Sequence, residues 1–214
     1  MSVITNRVVE RIVTGMNFGG QIPRPIINEL MADALDGLYE LTGIVKVELP
    51  IDEVADECQY DLPVMDTGRI CRTEALHRIT FKDAVEVSRV ALDEGSYAIG
   101  VKVDATASLG SIQEIINMST KSSVTQAGGL CLVVVAAFPS DDFIPSMHAA
   151  DAEIAVASKV MEMLSLNTGK PWSNVNKATT EAGSYARATN RMRIKTARGN
   201  TSRDLTMRSS VSFI

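Results

Sequence analysis

Few residues of this chain have the types and spacing that chemistry needs. His148 and Asp151 stand three apart at the start of a segment with helical period, which turns them to the same side of a helix. A carboxylate beside an imidazole can orient it for acid–base work. A working site needs further converging groups, and none accompanies this pair in the sequence. Helix-start electrostatics on a solvated face is therefore the favoured reading. The other histidine, His77, lies between apolar-rich strand pieces. Gly15-Met16-Asn17-Phe18-Gly19-Gly20 and Ala127-Gly128-Gly129 are glycine-rich, but neither has phosphate-loop or dinucleotide spacing, and both read as turns. Asp52, Glu53, Asp56 and Glu57 form an acidic cluster without the spacing or central glycine of a calcium loop, so a solvated loop is expected. Cys58, Cys71 and Cys131 are odd in number and scattered, which predicts free thiols rather than a disulfide framework or a zinc site. No catalytic residue, cofactor site or metal ligand is expected.

The basic residues offer more. Arg187, Arg191, Lys195 and Arg198 recur every three or four positions and line one helical face, with Arg193 beside them and Arg203 and Arg208 following. Two readings stand level: favourable charge near a helix C-terminus, or docking against an acidic partner or phosphates. Without interleaved aromatics, base stacking is not expected. From Thr180 onward six Arg and one Lys face Glu181 and Asp204, a net +5, so the rest of a chain of net charge −5 carries −10. An acidic body with a basic end points to an acidic surface as the end's partner.

Just before this row lies Gly169-Lys170-Pro171-Trp172-Ser173-Asn174, which holds the single Trp. Gly169 and Pro171 break the helical pattern, Trp172 is expected to anchor the corner by burial, and Ser173 suits the N-cap of the next helix.

The elements that must position these groups follow from periodicity. Val3–Val13 reads as either a short strand or a helical turn. Apolar Ile27, Leu30, Met31, Ala34, Leu38 and Leu41 predict a helix over 26–41, with Pro25 in its first turn and Gly43 ending it. Strands are expected at Ile44–Leu49, Tyr60–Pro63, Arg69–Thr73, Arg78–Phe81, Val85–Val90 and Tyr97–Val103. Ser111–Met118 reads as a short helix, and Leu130–Phe138 as a buried strand closed by Pro139 and Asp141-Asp142. Met147, Ala150, Ile154, Ala157, Met161 and Leu164 mark one late helix; Val175, Ala178, Ala182, Tyr185 and Met192 mark the next.

The order helix, strands, two helices predicts an α+β fold in a single domain, 1–214. A helical bundle over 21–43 and 143–198 is an N-terminal helix plus a C-terminal αα-hairpin. A mostly antiparallel β sub-domain is inserted at 44–138, and an extended basic tail covers 199–214. Hydrophobic content of 45% and charged content of 22% suit a soluble globular chain. Aromatics at 5% leave the core to Ala, Val, Ile, Leu and ten Met. No apolar run approaches the ~18 residues of a membrane span, and Met1–Arg11 lacks a signal-peptide pattern.

Three places carry a family resemblance: the helix running into strands, Ile26-Ile27-Asn28-Glu29-Leu30 through Leu41-Thr42-Gly43-Ile44-Val45; Tyr60-Asp61-Leu62-Pro63; and the late helix followed by Gly169–Asn174 and an Ala- and Arg-rich helix with a basic end. In this order the chain resembles the head-to-tail connector, or adaptor, proteins of tailed bacteriophages. The likeness covers about Ile26 to Arg198. The stretch before Gln21 has no counterpart, and the β region from Leu76 to Phe138 is longer, with an extra turn or arm around Ser108–Gly129. The resemblance implies a dodecameric ring in the neck of a virion assembled in the host cytoplasm, with no enzymatic activity. Its partners would be further copies of itself, the portal, tail or nozzle proteins, and genomic DNA passing non-specifically through the channel, with no membrane. Competing expectations are another tail component (tail completion, tail tube or baseplate), a small enzyme using His148, and a stand-alone DNA-binding protein.

Overall fold

A computed structural model of the chain describes residues 3–16, 21–82, 85–104, 111–122, 128–199 and 206–208. The fold is mixed α+β; among the described residues it has four α-helices and two sheets whose defined pairings are antiparallel. The chain divides into two compact units, 1–46 with 67–72 and 135–206, and 47–66 with 73–134 and 207–214.

The first unit holds the helices α1 (Val3–Gly15), α2 (Arg24–Thr42), α3 (Ala149–Leu166) and α4 (Val175–Gly199). The undecided N-terminal segment is thus helical. Its buried Val8, Val9, Ile12 and Met16 share one stripe, which packs on α3. In α2 the buried face is Ile27, Met31, Ala34, Leu35, Leu38, Tyr39 and Thr42. It is turned slightly from the expected stripe, leaving Leu41 exposed. Gly43 ends α2 at φ 60°, its N–H bonded to the Tyr39 carbonyl at 2.9 Å. That left-handed conformation costs glycine little. Arg69 pairs with Asp36 and Glu40, and Arg72 donates to the Glu40 carbonyl at 2.7 Å, so the last turns of α2 are fastened to the segment 69–72.

α3 is apolar nearly all round, as a helix with neighbours on several sides must be. Ala152, Ala155, Val156, Ala157, Val160, Met161 and Leu164 are all buried, and α1, α2 and α4 contact it. Its alanines allow the backbones to approach closely. The start of α3 meets the end of α4 through Asp151, and its end meets the start of α4 through Ser165, so the two run antiparallel.

The strands are β1 (Lys46–Asp52), β2 (Gln59–Asp61), β3 (Arg69–Lys82), β4 (Val85–Ala91), β5 (Tyr97–Asp104), β6 (Ser111–Met118), β7 (Gly128–Ala137) and β8 (Thr206–Arg208). One sheet has the order β4-β3-β7-β1-β8, the other β2-β6-β5. The central β7 is buried from Leu130 to Ala137 apart from the half-buried Val133, as a near-continuous apolar run demands. The two pieces expected at 69–73 and 78–81 form the single strand β3, paired with β4 from His77↔Ala91 to Lys82↔Val85 and kinked between Thr80 and Phe81.

Ser111–Met118 is a strand, not a helix. Ile112, Ile115, Ile116 and Met118 mimic a three-and-four repeat, yet the segment pairs on both sides, with β5 from Tyr97↔Met118 and with β2 at Tyr60↔Ile116. Three β-branched isoleucines in eight residues fit that pleated, two-sided setting. Gly128 and Gly129, expected in a turn, open β7, and Ala127 lies outside the described residues.

Candidate functional site

The corner between α3 and α4 is built from local hydrogen bonds. Gly169 takes φ 80° with open space where a side chain would stand. Ser173 N–H bonds to the Lys170 carbonyl at 3.0 Å, closing a turn around Pro171 and Trp172. Asn174 N–H (2.9 Å) and Ser173 Oγ (3.3 Å) both donate to the Ser165 carbonyl, tying the corner to the last turn of α3. Trp172 is 8% exposed, and its indole N–H has no partner among the described residues. The ring therefore acts as an apolar anchor. The N-cap of α4 is Asn174, whose Oδ1 accepts from Lys177 N–H at 3.0 Å, and not Ser173. Ser173 uses its hydroxyl on α3 instead. Val175, expected on the apolar stripe of α4, is exposed.

The row of cations on α4 divides. Arg187 is exposed and donates to Ser184 Oγ of its own helix at 3.1 Å. Arg191 and Lys195 turn to Asp151 on α3, with Arg191 Nε 2.8 Å from Oδ1 and Lys195 Nζ 2.7 Å from Oδ2. Lys195 also reaches the Met147 carbonyl at 3.3 Å. Two of the four aligned charges thus act inside the fold. Arg198 is exposed in the last turn of α4. Arg203 and the side chain of Arg208 lie outside the described residues.

His148 and Asp151 both face α4, but they do not form a relay. His148 is 0% exposed, against the solvated face expected for it. Its Nε2 lies 3.5 Å from Thr196 Oγ1, and its Nδ1 has no partner among the described residues. Both Asp151 oxygens are engaged by Arg191 and Lys195, so the carboxylate does not orient the imidazole. Burial, then the nearby Lys195 charge, holds the His148 pKa below its usual value. Burial pushes the Asp151 pKa up, but hydrogen bonds and charge from Lys195 and Arg191 outweigh it and leave the pKa below the ordinary carboxylate value. This arrangement ties the start of α3 to the end of α4.

The remaining sequence clusters are also structural. In the acidic loop, the Glu53 side chain is 1% exposed, paired with Arg78 at 2.7 Å and bonded by Ser122 Oγ at 2.8 Å. It is a buried anchor, not part of a solvated face. Asp56 takes φ 65°, and its N–H bonds to the Ser122 carbonyl at 3.0 Å. Among the described residues no three His, Cys, Asp or Glu side chains converge as a metal site would require. His77 on β3 has a sealed Nδ1 without a partner among the described residues, and burial, then Arg89, lowers its pKa. Arg89 is held between Glu48 (2.8 Å) and Glu86 (3.0 Å). Cys58, Cys71 and Cys131 form no disulfide among the described residues. Among the described residues no helix is long and apolar enough to cross a membrane.

Sequence reasoning missed one feature. A cleft of about 280 Å³ is lined by Thr5 of α1, by Asn28, Met31, Ala32 and Leu35 of α2, and by Pro139, Ser140, Asp141 and Asp142 after β7. Asp141 is 4% exposed, and Thr5 Oγ1 donates to its Oδ2 at 3.0 Å. Asp142 accepts from Ser140 Oγ at 3.2 Å. The phenol of Tyr39 donates to the Ser140 carbonyl at 2.8 Å; its pKa is raised by burial, then by Asp141 and Asp142. The paired acids at 141–142 were the available signal, but in the sequence they mark only the end of a strand.

No model of a known protein family matches the chain, and no curated protein is significantly similar to it.

Proposed function

We propose that this chain is a structural virion protein, a ring-forming head-to-tail adaptor that joins a phage portal to the tail and encloses the DNA channel. The observation that carries the reading is the α3–corner–α4 unit: an alanine-rich, antiparallel helix pair fastened at both ends, with exposed cations continuing along α4. In the finer fold reading that accompanies it, α2 and the α3–α4 hairpin form a helical bundle with the β region inserted between them. Exposed Leu166 and Val175 beside the corner, and Ile194 on α4, are large apolar groups suited to contact between copies. Arg187 and Arg198 supply positive charge for an acidic neighbour, and the acidic remainder suits a channel through which phosphates slide without sticking. No enzymatic activity is part of the proposal: His148 is sealed and its neighbouring carboxylate is engaged elsewhere.

Mass photometry and negative-stain microscopy of the purified full chain, alone and with its portal, test this reading. Closed rings, dodecameric if the resemblance holds in detail, are the expected result. A protein that stays monomeric, ignores the portal and is absent from virions would overturn it.

A further inference from the structure

The cleft under the Pro139–Asp142 turn has a charge that the described residues leave unbalanced. Asp141 is more than nine-tenths buried, and its hydrogen-bond donor is a neutral hydroxyl, that of Thr5 on Oδ2. Its Oδ1 receives no hydrogen bond from the described residues, and Asp141 lines the cleft. Asp142 beside it is likewise served by a neutral hydroxyl, that of Ser140. Neither carboxylate forms an ion pair with a described Arg, Lys or His. Elsewhere the fold does the opposite: buried Glu53 is paired with Arg78, and buried Asp151 with Arg191 and Lys195. An ionised carboxylate taken out of water is costly unless a cation or several donors compensate it.

The other walls define what such a cation must look like. Met31, Leu35, Ala32 and Pro139 are apolar and suit a methylene stem, while Asn28 adds an amide at the mouth. A volume of about 280 Å³ lies at the small end of ligand pockets and far exceeds a bare metal ion. A chelated metal would in addition need three or more converging donors, and the described residues offer none such. A fork of N–H donors on an aliphatic stem satisfies both a carboxylate oxygen that no described residue serves and the apolar wall.

We propose that this cleft is a binding site for an organic cation, an alkyl guanidinium or alkyl ammonium group, with Asp141 as its buried counter-ion and Asp142 as a second anion at the rim. Binding at the site does not depend on the ring reading; only the choice between its two sources uses the assemblies that the ring reading expects. The same chemistry can arrive as an arginine or lysine side chain of a partner or as a free polyamine, and the experiment separates the two.

Isothermal calorimetry on the full chain, with agmatine and butylguanidinium as probes and butanol as the uncharged control, tests the site. Both cations are expected to bind at one site and butanol not to. Asp141→Asn keeps the Thr5 hydrogen bond but removes the charge, and should weaken binding about tenfold or more. Glu29→Gln, an exposed change on the same helix, should leave binding unchanged. If Asp141→Asn fails to fold, Ala32→Lys places a tethered ammonium at the mouth and should abolish binding of added probe. Equal binding of butanol, unchanged binding in Asp141→Asn, or no binding of either cation to the wild type would each overturn the proposal. Where binding is seen, agmatine is then added to the protein's assemblies. Their dissociation identifies a partner's basic side chain as the natural occupant, and their persistence rules that occupant out in favour of a free amine.

Discussion

Replacing Asp151 by Asn tests whether one side chain holds the start of α3 to the end of α4. Asp151 is 6% exposed and accepts two charge-assisted hydrogen bonds, from Arg191 at 2.8 Å and Lys195 at 2.7 Å. Breaking a fully buried pair costs about 3–5 kcal/mol, and an exposed pair about 0.2–1 kcal/mol. Here the acid is buried, but the two cations are 48% and 44% exposed and regain water once released. An intermediate loss of about 2 kcal/mol follows, since Asn still accepts one hydrogen bond. For a chain of this size that lowers Tm by roughly 4–8 °C. The assay is thermal unfolding followed by circular dichroism, from pH 7 down to pH 3. Asp151 has a folded pKa below its unfolded value, so its contribution is fully present above the unfolded pKa and is lost as pH falls through the folded one. The gap between wild type and variant should therefore hold at pH 7 and begin to close below about pH 4. A Tm within 1 °C of wild type at pH 7, or a gap that does not change down to pH 3, would refute the reasoning.

Other consequences can be measured in the same way. His148 is buried and neutral with a lowered pKa, so the unfolded chain binds a proton that the folded chain resists, and stability falls as pH drops below about 6.5. His148→Phe should flatten part of that slope in urea titrations at pH 7 and pH 5, leaving the part due to His77. Gly68 has φ 83°, and a Cβ there meets the Ala137 carbonyl, so Gly68→Ala should cost about 2–4 kcal/mol. Gly95→Ala, at φ 101° in open space, should cost only the backbone strain of roughly 1–2 kcal/mol. Asn174→Ala should lose about 1 kcal/mol as a missing N-cap, and Ser173→Ala clearly less, as read by Tm.

What the sequence made legible is what local pattern controls. The α2 stripe, the Gly43 stop, the apolar run of β7 and the break at Gly169–Asn174 each follow from a few neighbouring residues. β6 misleads because a three-and-four spacing of isoleucines fits a helix until strands 97–104 and 59–61 claim both its edges. The α4 cations read as one docking row because Asp151 lies 40 residues before Arg191, and no local signal links them. His148 reads as solvated for the same reason: its cover comes from α4, including Thr196. The cleft at Asp141 is invisible in the sequence because its walls come from three separate segments, around residues 5, 28–35 and 139–142.

The two fastenings of α3 to α4 also set how this pair bears load. One lies at Asp151 and the other at Ser165, with buried Ala, Val, Met and Leu side chains of α3 between them. A force that slides one helix along the other meets both fastenings in parallel and must rupture them together. A force that peels α4 away from its C-terminal end meets them in series, Asp151 first. The pair is therefore stiff in shear and weak in peeling, and a pull on the chain beyond Gly199 is the direction from which it gives way.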